Sequence, residues 1–178
     1  RDPLEWLEGD TADGTMNYTL RDLVLGFTAD SSITAFELAD GMNALRDRIP
    51  SGFHAGMLNL LGSHDTERVL TRHASRRAST ELAYALLYSS QGAPMMYYGD
   101  EVGMTGDNDP GCRGGMPWDE ESWDGDLLAT VRELGHARRS EEVMRLGDQD
   151  YRAIDPATVA VVRPLGVPRT VTLVHRGA

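Results

Sequence analysis

Lysine is absent from the 178 residues, and all 17 basic side chains are arginine. The missing residue excludes every mechanism that needs a lysine within this chain. These are the phosphate-binding lysine of a P-loop, Schiff-base chemistry and the Ser-x-x-Lys nucleophile. Cysteine occurs once, as Cys112, so neither an internal disulfide nor a Cys-based zinc knuckle can form. Positive charge is scarce: 17 basic against 28 acidic residues leave a formal charge of −11. Nucleic acid and anionic membrane surfaces both require a basic footprint and are poor partners for such a chain. No apolar run approaches the roughly 18 residues that span a bilayer. The residues after Arg1 lack the charged and apolar regions of a secretory signal. Hydrophobic residues nevertheless make up 40% of the chain, enough for a packed core.

Short apolar runs alternate with longer amphipathic ones. Residues 14–18 read as a strand after the turn-rich stretch 8–14. Thr34 and Glu37 have capping-box spacing and open a helix whose apolar stripe is Leu38, Met42, Leu45 and Ile49. Pro50 and Gly52 stop it. Residues 57–61 form an apolar run without alternation, as in a parallel strand covered on both faces. A helix follows over 79–90, stopped by Gly92, and then a strand over 93–98. A glycine-rich loop runs over 99–124, and a loop of that length in a compact domain is usually functional. Leu127, Val131 and Leu134 mark a last helix. Beyond Gly147, β-branched runs at 151–154, 158–163 and 170–175 are broken by Asp155-Pro156 and by 164–168, an antiparallel pattern. The leading strands recur at roughly 40-residue intervals, the spacing of βα units in a parallel sheet or barrel. The expected organisation is α/β: a parallel unit over 1–140 and the start of a small antiparallel β domain over 141–178.

Three stretches could carry chemistry. In Leu60-Leu-Gly-Ser-His64-Asp65-Thr-Glu67-Arg68, titratable residues appear abruptly at the carboxyl end of an apolar strand, the catalytic end in a barrel. Gly62 allows a close backbone approach there. The alternative is a solvated turn with Asp65 as a helix N-cap. Ser63-His64-Asp65 is not a triad, because consecutive side chains diverge. In Tyr97-Tyr98-Gly99-Asp100-Glu101, aromatic faces beside carboxylates suit sugars; the alternative is a buried tyrosine pair with an acidic surface turn. In Asp109-Pro-Gly-Cys-Arg113, an acid and an arginine four apart can clamp vicinal hydroxyls, or simply brace the loop. Asp107-x-Asp109-x-Gly111 is a poor calcium loop, since Trp118 stands where a bidentate Glu is needed. Cys112, Trp6 and Trp123 read as packing. His73, His136 and His175 read as solvated, and 68–77 as an exposed approach to a helix.

Together these motifs resemble the α-amylase superfamily of glycoside hydrolases, within it the cyclomaltodextrinase, neopullulanase and maltogenic amylase group. Met57-Leu-Asn-Leu-Leu-Gly-Ser-His-Asp-Thr-Glu-Arg68 resembles that family's fourth conserved region. Gly92-Ala-Pro-Met-Met-Tyr-Tyr-Gly-Asp-Glu-Val-Gly103 resembles its eighth barrel strand, and Asp109–Arg113 with Met116-Pro-Trp118 the loop after it. Trp6-Leu-x-Gly-Asp10 with Met16-Asn-Tyr18 resembles the sixth strand and its approach. The resemblance implies the C-terminal part of a (β/α)8 TIM barrel, strands six to eight, followed by an antiparallel β domain. It implies that Asp65 stabilises the transition state without attacking or transferring a proton. By the same resemblance His64, Asp109, Arg113 and Tyr98 bind sugar, and Arg68 sits near the nucleophile, holding carboxylates or an anion. No cofactor is implied, although a structural calcium ion is compatible with the family.

Two departures matter. Nothing resembles the family's Arg-x-Asp nucleophile or Gly-Glu-x-Trp acid motif, so the chain alone is expected to be inactive. Gly114-Gly115 replaces an Arg-Pro or Lys-Cys pair, which should loosen the loop. The expected ligand is an α-glucan oligosaccharide with α-1,4 or α-1,6 bonds. The expected protein partner is the N-terminal part of the same enzyme, or a second copy of the chain as a homodimer. The subgroup and the free thiol point to the cytoplasm. The alternatives are a truncated, non-catalytic half-barrel that binds glucan or protein, and a trehalose-forming isomerase relative.

Overall fold

The computed structural model describes residues 3–7, 11–50, 52–167 and 169–177. Residues 8–10 of the first turn, with the Gly9-Asp10 end of the first motif, lie outside the described residues, as do Arg1 and Pro168. The chain runs β1 (Met16–Asn17), α1 (Tyr18–Thr28), α2 (Ala35–Arg48), β2 (Leu58–Leu60), α3 (Val69–Arg72), α4 (Arg77–Ser89) and β3 (Ala93–Met95). It continues with α5 (Gly125–Ser140), α6 (Glu142–Leu146), β4 (Asp150–Asp155), β5 (Thr158–Pro164) and β6 (Arg169–His175). Strands β1, β2 and β3 form a parallel sheet in that order, with Leu58 beside Met16 and Ala93 beside Leu58. Strands β4, β5 and β6 form an antiparallel sheet. Three adjacent parallel strands joined by helices and followed by a separate antiparallel sheet are the α/β organisation expected from the sequence.

Local chemistry explains most boundaries. Thr34 Oγ1 accepts from the Glu37 N–H, and Glu37 Oε2 accepts from the Thr34 N–H at 2.7 Å, closing the capping box of α2. The whole expected stripe, Leu38, Met42, Leu45 and Ile49, is buried. Helix α1 was not expected. No turn separates it from β1, because Asn17 serves both elements: its side chain accepts from the Leu20 N–H at 3.1 Å, so the strand's last residue is the helix cap. Asn17 Nδ2 also donates to Asn59 Oδ1 (2.9 Å), and Asn59 Nδ2 donates to the Gln91 carbonyl (2.8 Å). Tyr18 therefore belongs to α1 rather than to the strand. Strand β3 stops at Met95 instead of residue 98, since residues 97–100 turn back with the Asp100 N–H on the Tyr97 carbonyl.

One apolar core runs from α1, α2 and α4 (Val24, Phe27, Leu38, Met42, Leu86) to the inner face of the second sheet (Tyr151, Val159, Val161, Val174). At that junction the last carbonyls of α4 are held by two guanidinium groups. Arg138 of α5 donates to the carbonyls of Tyr88, Ser90 and Gly92. Arg163 of β5 donates to those of Ser89 (2.9 Å), Asp148 (2.7 Å) and Gly147 (2.5 Å). Cations at a helix C-terminus also oppose its dipole favourably.

Several expectations need correction. His73 is fully buried rather than solvated, with one ring nitrogen 3.0 Å from Thr28 Oγ1 and the other 2.8 Å from the Val69 carbonyl. Burial holds its pKa below the ordinary histidine value. The 68–77 stretch is not uniformly exposed, because Arg68 is buried. Trp6 is half exposed, whereas Trp123 packs and donates its indole N–H to the Pro117 carbonyl. Among the described residues no helix is long and apolar enough to cross a membrane.

Candidate active site

Strand β2 delivers its chain to a tight turn at the carboxyl edge of the parallel sheet. Within that turn the Ser63 N–H donates to Thr66 Oγ1 (3.0 Å) and the Asp65 N–H to Ser63 Oγ (3.2 Å). These two bonds occupy the backbone and leave the His64 and Asp65 side chains projecting, 60% and 61% exposed, with His64 Nε2 3.3 Å from Asp65 Oδ1. Asp65 does not cap α3: the residue at that position is Arg68, and no side chain caps the helix.

The loop after β3 reaches over to the same place. Arg113 Nε donates to the His64 carbonyl (3.0 Å) and to Asp109 Oδ1 (2.9 Å), while Arg113 Nη2 reaches Asp65 Oδ1 at 3.4 Å. The buried Cys112 thiol donates to the same His64 carbonyl at 3.2 Å. The Tyr98 hydroxyl donates to the Gly114 carbonyl at 2.7 Å. His64, Asp65, Asp109 and Arg113 therefore share one rim, with Tyr98 beside it through Gly114. Gly115 has open space around it, and Trp118 is 82% exposed three residues on. Exposed carboxylates fixed on one guanidinium suit an acceptor–donor clamp for sugar hydroxyls.

Arg68 holds a carboxylate, as the resemblance implies, but the one it holds in this chain is that of Asp100. Its guanidinium is fully buried, so among the substrate-side residues named from the sequence Arg68 alone has no exposed surface for a sugar, and its role is internal. It lies 4.4 Å from the Tyr97 ring centre and 4.6 Å from that of Tyr98, and it donates to the Tyr98 carbonyl. Arg68 Nη1 lies 3.0 Å from Asp100 Oδ1. Burial pushes the Asp100 carboxyl up to about 7, against the opposing pull of Arg68. The same carboxylate and burial raise the Tyr84 hydroxyl well above its usual value, burial being the larger cause. Asp100 and Cys112 were not singled out as supports of the site. Their partners lie 32 and 48 residues away, and only the abrupt Gly-Asp after two tyrosines hinted at the first. Among the described residues no three His, Cys, Asp or Glu side chains converge as metal ligands, and Asp109 of the poor calcium loop is turned to Arg113.

Known proteins resemble this chain in sequence and in fold. Residues 2–149 match the α-amylase catalytic-domain family. A cyclomaltodextrinase from Geobacillus thermopakistaniensis is 39% identical over 154 residues, which are 86% of this chain and 26% of that protein. Neopullulanase 2 of Thermoactinomyces vulgaris is 40% identical over 129 residues, 72% of this chain and 22% of its own length. The ligand-free structure of cyclic α-maltosyl-(1→6)-maltose hydrolase from Arthrobacter globiformis superposes with a TM-score of 0.98 at 63% identity. It covers 99% of this chain, which in turn covers 40% of it. The Arthrobacter enzyme is also known in complex with cyclic α-maltosyl-(1→6)-maltose and with maltose. The chain spans about a quarter of the curated relatives it matches. Its parallel sheet, its motifs in collinear order and the match over most of its length agree: this chain belongs to the α-amylase catalytic-domain family of glycoside hydrolases.

Proposed function

We propose that the chain supplies barrel strands six to eight of a retaining α-glucan hydrolase or transglycosylase. The convergence of Asp65, Asp109 and the His64 main chain on Arg113 carries the reading. Retaining cleavage needs a nucleophile and an acid/base, two carboxyl groups roughly 5–5.5 Å apart, passing through an oxocarbenium-like sugar. Asp65 is the third acid. It accepts hydrogen bonds from hydroxyls beside the anomeric carbon and favours the flattened ring as positive charge develops. His64 donates to the same sugar. Asp109 and Arg113 grip the neighbouring unit on the non-reducing side, and Tyr98 lines the approach. The nucleophile and the acid/base come from barrel strands outside this chain, so the 178 residues alone release no sugar.

The 63% identity to the Arthrobacter hydrolase favours a cyclic glucan in which maltose units are joined by α-1,6 bonds, over cyclodextrins, pullulan or linear maltodextrins. The test uses the intact enzyme on all four substrates, with product configuration followed by proton NMR. Cyclic α-maltosyl-(1→6)-maltose should be opened with retention and with the highest kcat/KM. Asp65→Asn should lower turnover at least about 100-fold while the fold is kept. Undiminished turnover in that variant, or an inverted product, overturns the reading. Conversion of maltose to trehalose would favour an isomerase instead.

A further inference from the structure

We infer that Asp100 and Arg68 are positioning residues that set the height and direction of Asp65 from beneath, by gripping both ends of the turn that carries it. This rests on the role proposed for Asp65.

The Asp100 carboxylate is the buried floor under the Gly62–Arg68 turn. Its Oδ1 pairs with Arg68 at the turn's far end, at 3.0 Å. Its Oδ2 presses on Gly62 at the near end, where a Cβ would stand only 2.3 Å from it. Asp65 is the midpoint between these two anchors. The close approach explains why a glycine stands at residue 62: any side chain would lift the turn off the carboxylate. From the other side the Arg68 N–H donates to the Gly106 carbonyl (2.9 Å), and the Gly106 N–H donates to Thr71 Oγ1 (2.8 Å). These bonds register the turn on the loop that carries Asp109 and Arg113. One buried ion pair thus fixes the Asp65 turn and the Arg113 loop against each other.

The pair is poorly suited to a purely stabilising role. Arg68 Nε and Nη2 and Asp100 Oδ2 are buried with no hydrogen-bond partner among the described residues. A buried pair with unsatisfied atoms is commonly no better for stability than apolar side chains of the same volume. What it provides is a fixed direction. The guanidinium plane is held by two tyrosine rings and by the Tyr98 carbonyl, so the carboxylate it grips has one allowed place.

The experiment is a mutant cycle in the intact enzyme, with α-maltosyl fluoride as an activated substrate so that low rates stay measurable. Asp100→Asn in the parent, assayed at about pH 8 where the Asp100 carboxyl is ionised, should lower kcat about 10- to 100-fold, the loss that a displacement near 1 Å produces, with KM within about twofold. In an Asp65→Asn background the same substitution should change kcat less than about twofold, because the group it positions is already disabled. Arg68→Lys, which keeps the charge but loses the planar fork, should fall between the parent and Arg68→Met. Parent-like kcat in Asp100→Asn, or equal losses in both backgrounds, overturns the inference. If Asp100→Asn does not fold, Arg68→Lys carries the same cycle. If neither folds, the pair serves folding and the inference fails. An Asp65→Asn enzyme with full turnover would instead overturn the functional reading itself, whatever Asp100 does.

Discussion

Asp100 is an acid kept from water beside a cation, and its protonation should be visible in stability. Burial raises its folded pKa from the ordinary 3.8 to about 7. A raised folded pKa means that the folded state holds the proton after the unfolded chain has released it. Its contribution is therefore full below about pH 4 and lost as pH rises through about 7. The melting temperature of the intact enzyme, minus that of its Asp100→Asn variant, should be more positive at pH 4.5 than at pH 7.5. A pH-independent difference would mean that Asp100 titrates normally. At this scale the exposed residues were the legible ones. His64, Asp65, Asp109 and Arg113 stood in short contiguous motifs, and the structure gathers them on one rim. The buried ones were not legible. Arg68 and His73 lie among arginines, a texture that reads as solvated, and what buries them comes from residues far away in the chain.

Elements follow the same logic. The start of α2 could be read because its cap is local: three residues separate Thr34 from Glu37. The antiparallel strands could be read because β-branched runs and prolines are local as well. Helix α1 was hidden because its cap is also the last residue of a strand, so no turn chemistry marks the boundary. The end of α4 was placed within about a turn from Gly92, yet its real stop is non-local. Arg163, from the second sheet, holds the Ser89 carbonyl together with those of Gly147 and Asp148. Arg163→Met keeps much of the side chain's volume and strips three carbonyls of this donor, those of Ser89 and Gly147 in buried contacts and that of Asp148 in a part-buried one. It should lower stability by about 2–3 kcal/mol, read from urea denaturation of the intact enzyme. Arg138 still holds the neighbouring carbonyls of Tyr88, Ser90 and Gly92, so α4 itself should persist in circular dichroism.

At the scale of the molecule, a parallel sheet of three strands has two open margins, at β1 and β3. Leu58, in the central strand, is 42% exposed, though an apolar central strand is normally covered on both faces. Open edges and uncovered strands favour association. If, as proposed, the chain supplies strands six to eight of a glucan-cleaving barrel, the preceding barrel strands expressed as a separate chain should co-purify with these 178 residues and restore glucan cleavage. Size-exclusion chromatography and a reducing-sugar assay read both outcomes. Two polypeptides that stay apart at micromolar concentration would contradict the expectation.

The carboxamide relay from the first turn of α1 through Asn17 of β1 and Asn59 of β2 to the Gln91 carbonyl, just before β3, links the parallel strands side to side. Sliding any of these strands by a single residue would turn its amide to the opposite side and strand the others without partners in a dry interior. Misaligned arrangements are thus penalised before the sheet is complete, and whatever polypeptide joins either margin docks onto strands that are already indexed.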